Sequence, residues 1–160
     1  MAPDIPAKPS SAWPDLSGRL DVTSSGRVHI LPLRVYYEDT DFSGLVYHAT
    51  YVRWCERGRS DYLRLAGNDH HALIKGHAGR EPAAFVVRRM QLEYLKPARI
   101  DEVLEAHTRV KHLGAASLVL DQRILRENIC IFEAVVTVVL VSQHGQVLRL
   151  SKALRSAIGP

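Results

Sequence analysis

Three carboxylates, Glu38, Asp39 and Asp41, fall within four residues, and His48 follows Asp41 by seven. That spacing places acids just ahead of a segment with helical periodicity. A carboxylate there can attack a carbonyl carbon or activate a water against it. A helix start offers backbone N–H groups without intrahelical partners and a partial positive charge. Aimed at a carbonyl oxygen, such groups stabilise the oxyanion that forms when the carbonyl is attacked. Gly44 lets backbone come close to a ligand. A plainer reading stays open on residue types alone, because Asp and Thr before a helix are common turn and capping residues.

The elements that must position these groups can be read from periodicity. In 48–66, Tyr51, Trp54, Cys55, Gly58, Tyr62, Leu65 and Ala66 recur at three- and four-residue spacing, with Arg and Glu on the other side. This predicts an amphipathic helix, ended by Gly67. Gly58 on its apolar face predicts close approach to a sheet. Residues 27–37 read as a strand that Pro32 confines to an edge, a bulge or a break. Residues 38–47 and 67–82 read as loops. Four strands follow, at 84–95, 102–113, 116–126 and 129–142; the last is nearly all apolar and belongs in the sheet interior. The tail, 147–158, fits strand or helix. One long helix and about five antiparallel strands give an α+β, two-layer domain in which the sheet wraps the helix. Residues 27–160 form this single domain. Residues 1–26 are rich in Pro, Ser and Ala and read as a disordered extension.

Composition narrows the function. The 160 residues carry a net charge of +4, which suits anionic ligands but is too weak to argue for nucleic acid. The aromatic and Arg residues of 51–64 have helical spacing, so the aromatics read as core rather than as a stacking platform. Cys55 and Cys130 form no CxxC pair. A reducing compartment is the simple reading, with a single disulfide left open. His70, His71 and His77 share a loop but lack a completing ligand set, so no metal site is expected. No stretch reaches the ~20 apolar residues of a membrane span. A cytoplasmic protein is expected.

The run Asp39-Thr40-Asp41-x-x-Gly44-x-Val46-Tyr47-His48-x-x-Tyr51, continuing into Glu56-Arg57-x-Arg59, resembles the hotdog-fold acyl-CoA thioesterases of the 4-hydroxybenzoyl-CoA thioesterase type. It is most similar to the subgroup associated with the bacterial Tol-Pal system. The run from Leu92 to Glu102 adds to the resemblance. The resemblance implies hydrolysis of an acyl thioester to a free acid and coenzyme A. It needs no metal or cofactor, since coenzyme A is part of the substrate. It assigns Asp41 as nucleophile or general base, and the backbone N–H at His48 as the group polarising the thioester carbonyl. Asp39 reads as a structural partner of the loop, and Glu56 stays in reserve as a helix carboxylate. Gly44 and Tyr47 would shape the loop around the acyl group. Phe42 stands where this subgroup usually has a small residue, so it bears on acyl selection. Lys96, Lys111 and Ser117 are candidates for binding the coenzyme A moiety, with Arg88, Arg89 and Arg123 as further basic candidates. The resemblance also implies homodimers or homotetramers with active sites between subunits. Acyl-carrier-protein thioesters are a second substrate class. Cell-envelope or phospholipid-synthesis proteins are implied partners, with peripheral placement at the inner membrane.

Two other readings use the same residues. A hydratase or dehydratase of acyl thioesters would need the His48 side chain, whereas hydrolysis needs mainly its backbone N–H. A non-catalytic acyl-CoA-binding scaffold would bind thioesters without turnover, with Phe42 blocking the site.

Overall fold

Alternation of apolar and polar residues lays down most of the sheet, and the computed structural model describes residues 18–24, 26–76 and 79–159. The strands are β1 (Arg19–Thr23), β2 (Gly26–Arg34), β3 (Ala83–Tyr94), β4 (Val103–Leu113), β5 (Ser117–Arg126) and β6 (Ile129–Ser142). They form one sheet in the order β1-β2-β4-β5-β6-β3, and every pairing is antiparallel. β6 lies inside the sheet, as its composition predicts. Its Phe132, Ala134, Val136, Val138 and Leu140 are all buried, each two residues from the next.

The long helix, α1 (His48–Leu65), packs on one face of this sheet. It buries Tyr51, Trp54, Cys55, Gly58 and Tyr62, which follow the expected stripe, and also Thr50 and Arg59, the latter expected on the other, charged side. A Cβ on Gly58 would meet Thr108 Oγ1 at 3.0 Å and Gln122 Nε2 at 3.6 Å. The glycine is therefore where helix backbone comes down onto β4 and β5.

The outcome departs from the sequence reading in three places, and settles one alternative it left open. The sheet has six strands, because residues 19–23, expected within the extension, form β1 against Gly26–Ile30 of β2. Asp61 helps hold this hairpin by accepting from the backbone N–H of Gly18 at 2.7 Å. The rest of the expected extension, residues 1–17, lies outside the described residues, as does His77. A short helix, α2 (His70–Lys75), interrupts the loop after α1; Asp69 caps it by accepting from His71 N. The tail resolves into helix α3 (Lys152–Ile158), capped by Ser151. The strand at 27–37 proves to be flanked on both sides. Pro32 nonetheless sits beyond the reach of β1, which stops at Ile30, so its missing N–H leaves no gap in that pairing.

Both cysteines are free thiols. Among the described residues, no helix is long and apolar enough to cross a membrane.

Candidate active site

The loop before α1 is built by its own backbone. A single 3-10 turn, Tyr37–Asp39, precedes it. Asp39 is buried; its carboxylate accepts from Tyr36 N at 2.9 Å, and its carbonyl accepts from Tyr47 N at 2.8 Å. Asp39 is thus the loop's internal brace, as the sequence suggests. Thr40 and Val46 bridge, and Asp41 N donates to Leu45 O at 3.0 Å. Gly44, at φ 77, makes the turn between them. Val46 N donates to Ala98 O at 2.9 Å, which ties the loop to the β3–β4 connection.

This tight turn lifts Asp41 to the surface, where it is exposed. Its Oδ1 accepts from Ser43 N at 2.8 Å and also from Ser43 Oγ. The Ser43 hydroxyl, its N–H and the nearby His48 together hold the Asp41 carboxyl below the usual range. The group is therefore ionised, and among the described residues its second oxygen has no hydrogen-bond partner.

His48 opens α1. The cap position is Tyr47, which makes no side-chain cap bond. Thr50 N is satisfied by Tyr47 O, but among the described residues the N–H groups of His48 and Ala49 have no protein acceptor. A serine or aspartate at the cap would have consumed one of these donors. The uncapped start leaves two N–H groups and the positive end of the helix dipole available to an oxygen.

A ring cluster fixes the first turns of the helix. Tyr51 stacks on Phe132 with centroids 5.2 Å apart and meets Trp54 and Tyr94 edge-on. The Tyr51 hydroxyl accepts from Ala98 N at 3.0 Å. Tyr94 Oη donates to His48 O at 2.9 Å. Helix, loop and the 94–98 segment are thereby locked to one another.

Asp41, Phe42, Gly44, Tyr47 and His48 come together at this junction. Lys96 lies two residues beyond Tyr94, at the same end of the sheet. Phe42 is fully exposed, so within this chain it covers nothing. Lys111 and Ser117 lie elsewhere. They flank the β4–β5 turn, roughly 26 Å along β4 from the strand's start at ~3.3 Å per residue. Gly114 N donates to Ser117 O at 2.8 Å and shapes that turn. Arg88 sits in a bulge of exposed β3 with Arg89 just after it, and Arg123 faces Asp121 at 3.5 Å. Glu56 accepts from Ser60 Oγ at 2.6 Å, two turns along α1 from His48. Cys55 is buried, and burial pushes its thiol up to about 12, which leaves it inert as a nucleophile. His70 contacts Ser60 O at 3.0 Å through Nε2.

Sequence reasoning missed Ser43 and Tyr94. An Asp in a turn commonly bonds the backbone N–H two residues on, so the contact with Ser43 N was findable, whereas that with its hydroxyl carries no such signal. Tyr94 carries no such signal, since its contact with His48 spans 46 residues.

The thioesterase superfamily model matches residues 43–130. The acyl-CoA thioester hydrolase YbgC of Escherichia coli is 48% identical over 111 residues, covering 69% of this chain and 79% of that protein. The acyl-CoA thioesterase YbgC of Haemophilus influenzae is 36% identical over 110 residues, covering 69% and 78%. Among solved structures, the probable thioesterase of Bartonella henselae superposes with a TM-score of 0.74 at 40% identity, covering 78% of this chain and 99% of that one.

Proposed function

This chain belongs to the thioesterase superfamily, and we propose that it hydrolyses acyl-CoA thioesters with Asp41 as its catalytic carboxylate and the start of α1 as its oxyanion site. The reaction yields a free acid and coenzyme A. The observation that carries the residue assignment is the uncapped helix start beside an ionised, exposed carboxylate.

The chemistry follows from those groups. The thioester carbonyl oxygen accepts from the N–H groups of His48 and Ala49. Its carbon is then attacked in one of two ways. Asp41 either takes a proton from water and delivers hydroxide, or adds directly to give an anhydride that water opens. In both, the C–S bond breaks and the sulfur leaves as thiolate. Charge moves onto the oxygen in the transition state, and two prepositioned N–H donors stabilise it without reorganisation. No metal or prosthetic group is required; coenzyme A enters with the substrate.

We place the working site between two copies of the chain. β3 is an edge strand of 12 residues with Val86 and Val87 exposed. Such an edge is a template for pairing. One end of β3, at Tyr94, reaches His48. Toward its other end, Val86 pairs with Val139, which also pairs with Ser117 at the start of β5. Antiparallel pairing of two β3 strands about a two-fold axis swaps these ends. It would bring Lys111 and Ser117 of the partner subunit toward Asp41, which gives those residues a role that a single chain does not. Lys96 would join them in holding coenzyme A. Two such dimers would make the tetramer. Carrier-protein thioesters, a cytoplasmic or inner-membrane location and cell-envelope partners are carried as extensions of this reading.

The test is thiol release from short, long and aromatic acyl-CoAs by wild type and His48→Ala. Hydrolysis that survives loss of the imidazole supports the backbone role. Loss of hydrolysis with an intact fold would point to side-chain acid–base chemistry instead.

A further inference from the structure

A cavity of about 250 Å³ lies beneath α1 and α2, lined by neither Asp41 nor His48. Leu63, Leu73, Phe85, Leu120 and Val138 supply much of its wall. Arg59 also lines it, yet Arg59 is only 9% exposed. Its Nη1 donates to Gln122 Oε1 at 2.8 Å, a neutral acceptor. Among the described residues, no carboxylate oxygen comes within 4.0 Å of its guanidinium. Glu56, one turn earlier, is exposed and accepts from Ser60 instead.

The remaining Arg59 donors are not sealed away. Among the described residues, His29 Nδ1 is the one buried side-chain polar atom with no partner. The Arg59 N–H groups without a partner are therefore not fully enclosed, and the cavity is a space that Arg59 borders. Arginine does not shed its charge in a protein, so burial cannot be relieved by deprotonation. A buried charge is tolerated when it is paired. Among the described residues no carboxylate forms an ion pair with it; Glu56, which also lines the cavity, acts on it only through space, and most of the remaining wall is apolar.

We infer that this cavity binds an alkyl carboxylate, with its chain among Leu63, Leu73, Phe85, Leu120 and Val138 and its carboxylate on Arg59. The volume fits roughly eight non-hydrogen atoms at the ~30 Å³ a water-sized group occupies in a liquid. An acid of six to eight carbons, extending in part through the mouth, matches that size. The position is at least ~12 Å along α1 from His48, at 1.5 Å per residue. The same chemistry has two sources: the free acid that hydrolysis releases, or a carboxylate at the far end of a bound acyl chain. Only this last step rests on the thioesterase reading.

Calorimetric titration of the full-length protein with octanoate, octanol and octyltrimethylammonium tests the inference. Octanoate should bind about tenfold or more tighter than octanol, and the cation should not bind. Arg59→Met should erase the preference for octanoate. Ile74→Trp, at an exposed position on the cavity lining, should weaken octanoate without removing the arginine, so the test survives if Arg59→Met does not fold. Asp41→Asn should leave octanoate affinity unchanged. An Asp41→Asn variant that still hydrolyses would overturn the catalytic assignment and leave this one standing. Inhibition of hydrolysis by octanoate identifies the released acid as the ligand. Faster hydrolysis of an ω-carboxyacyl-CoA than of its methyl-ended counterpart identifies the attached one. Equal affinity for octanoate and octanol, no saturable binding, or octanoate affinity unmoved in both cavity variants would overturn the inference.

Discussion

Replacing Gln122 by leucine should destabilise the protein by about 3 kcal/mol. Gln122 is buried, and its side chain makes three hydrogen bonds. Oε1 accepts from the Arg59 guanidinium at 2.8 Å; Nε2 donates to Cys55 O and to Thr108 Oγ1, each at 2.9 Å. A bond to a charged group contributes about 1.5–3 kcal/mol and a neutral one about 0.5–1.5. Leucine is close in volume, so it creates little cavity and recovers part of the loss by apolar burial. It also leaves Arg59 without its acceptor, which makes the net loss positive. Chemical unfolding at fixed protein concentration reads the effect as a lower midpoint at constant slope. For a chain of this size it corresponds to roughly 6–12 °C in Tm. Gln122→Glu keeps an acceptor for Arg59 but loses the donor to Cys55 O, so its loss should be smaller. A leucine variant within about 0.5 kcal/mol of wild type would refute the idea that this residue staples α1 to the sheet.

Gly58→Val should cost about 1–3 kcal/mol by overpacking, because Thr108 Oγ1 already lies 3.0 Å from where a Cβ would stand; unfolding at wild-type stability would contradict the close approach. Ser43→Ala should move the acid limb of the kcat/KM profile to higher pH, since the Ser43 bonds are the main cause holding Asp41 low, and an unmoved limb would separate that carboxylate from the rate. Burial pushes His29 below its ordinary 6.5 against the pull of Asp61, with Arg64 and His107 adding to the lowering. The unfolded chain therefore takes up that proton first, and stability present above about 6.5 falls as pH drops through it. Asp61, held low by His29, Gly18 and Arg64 against its own burial, extends the loss further into acid. Unfolding titrations across pH should show this slope, and His29→Gln should flatten its upper part.

Much of the frame was legible because it rests on local pattern. The stripe from Tyr51 to Tyr62 needs only a 3.6-residue period, and β6 needs only its branched apolar run. The chemistry of the loop was legible in residue types, since an acid, a glycine and a helix start are all local. What stayed hidden depends on distant partners. β1 is five residues of mixed character, and the hairpin with β2 and the Gly18–Asp61 bond give it a place. α2 spans six residues, too short for periodicity to stand out. The Arg59–Gln122 contact joins residues 63 apart, so the cavity beside it has no sequence signature. Lys111 and Ser117 were singled out by resemblance, and a single chain does not bring them to Asp41.

The most direct measurement is steady-state thiol release by Asp41→Asn beside wild type on the best acyl-CoA substrate, with matched thermal unfolding. Asp41 is exposed and, among the described residues, bonds only within its own turn, so the fold should survive unchanged. Loss of turnover by orders of magnitude with unaltered Tm is the predicted result. Near-normal turnover in a correctly folded variant would remove Asp41 from the mechanism.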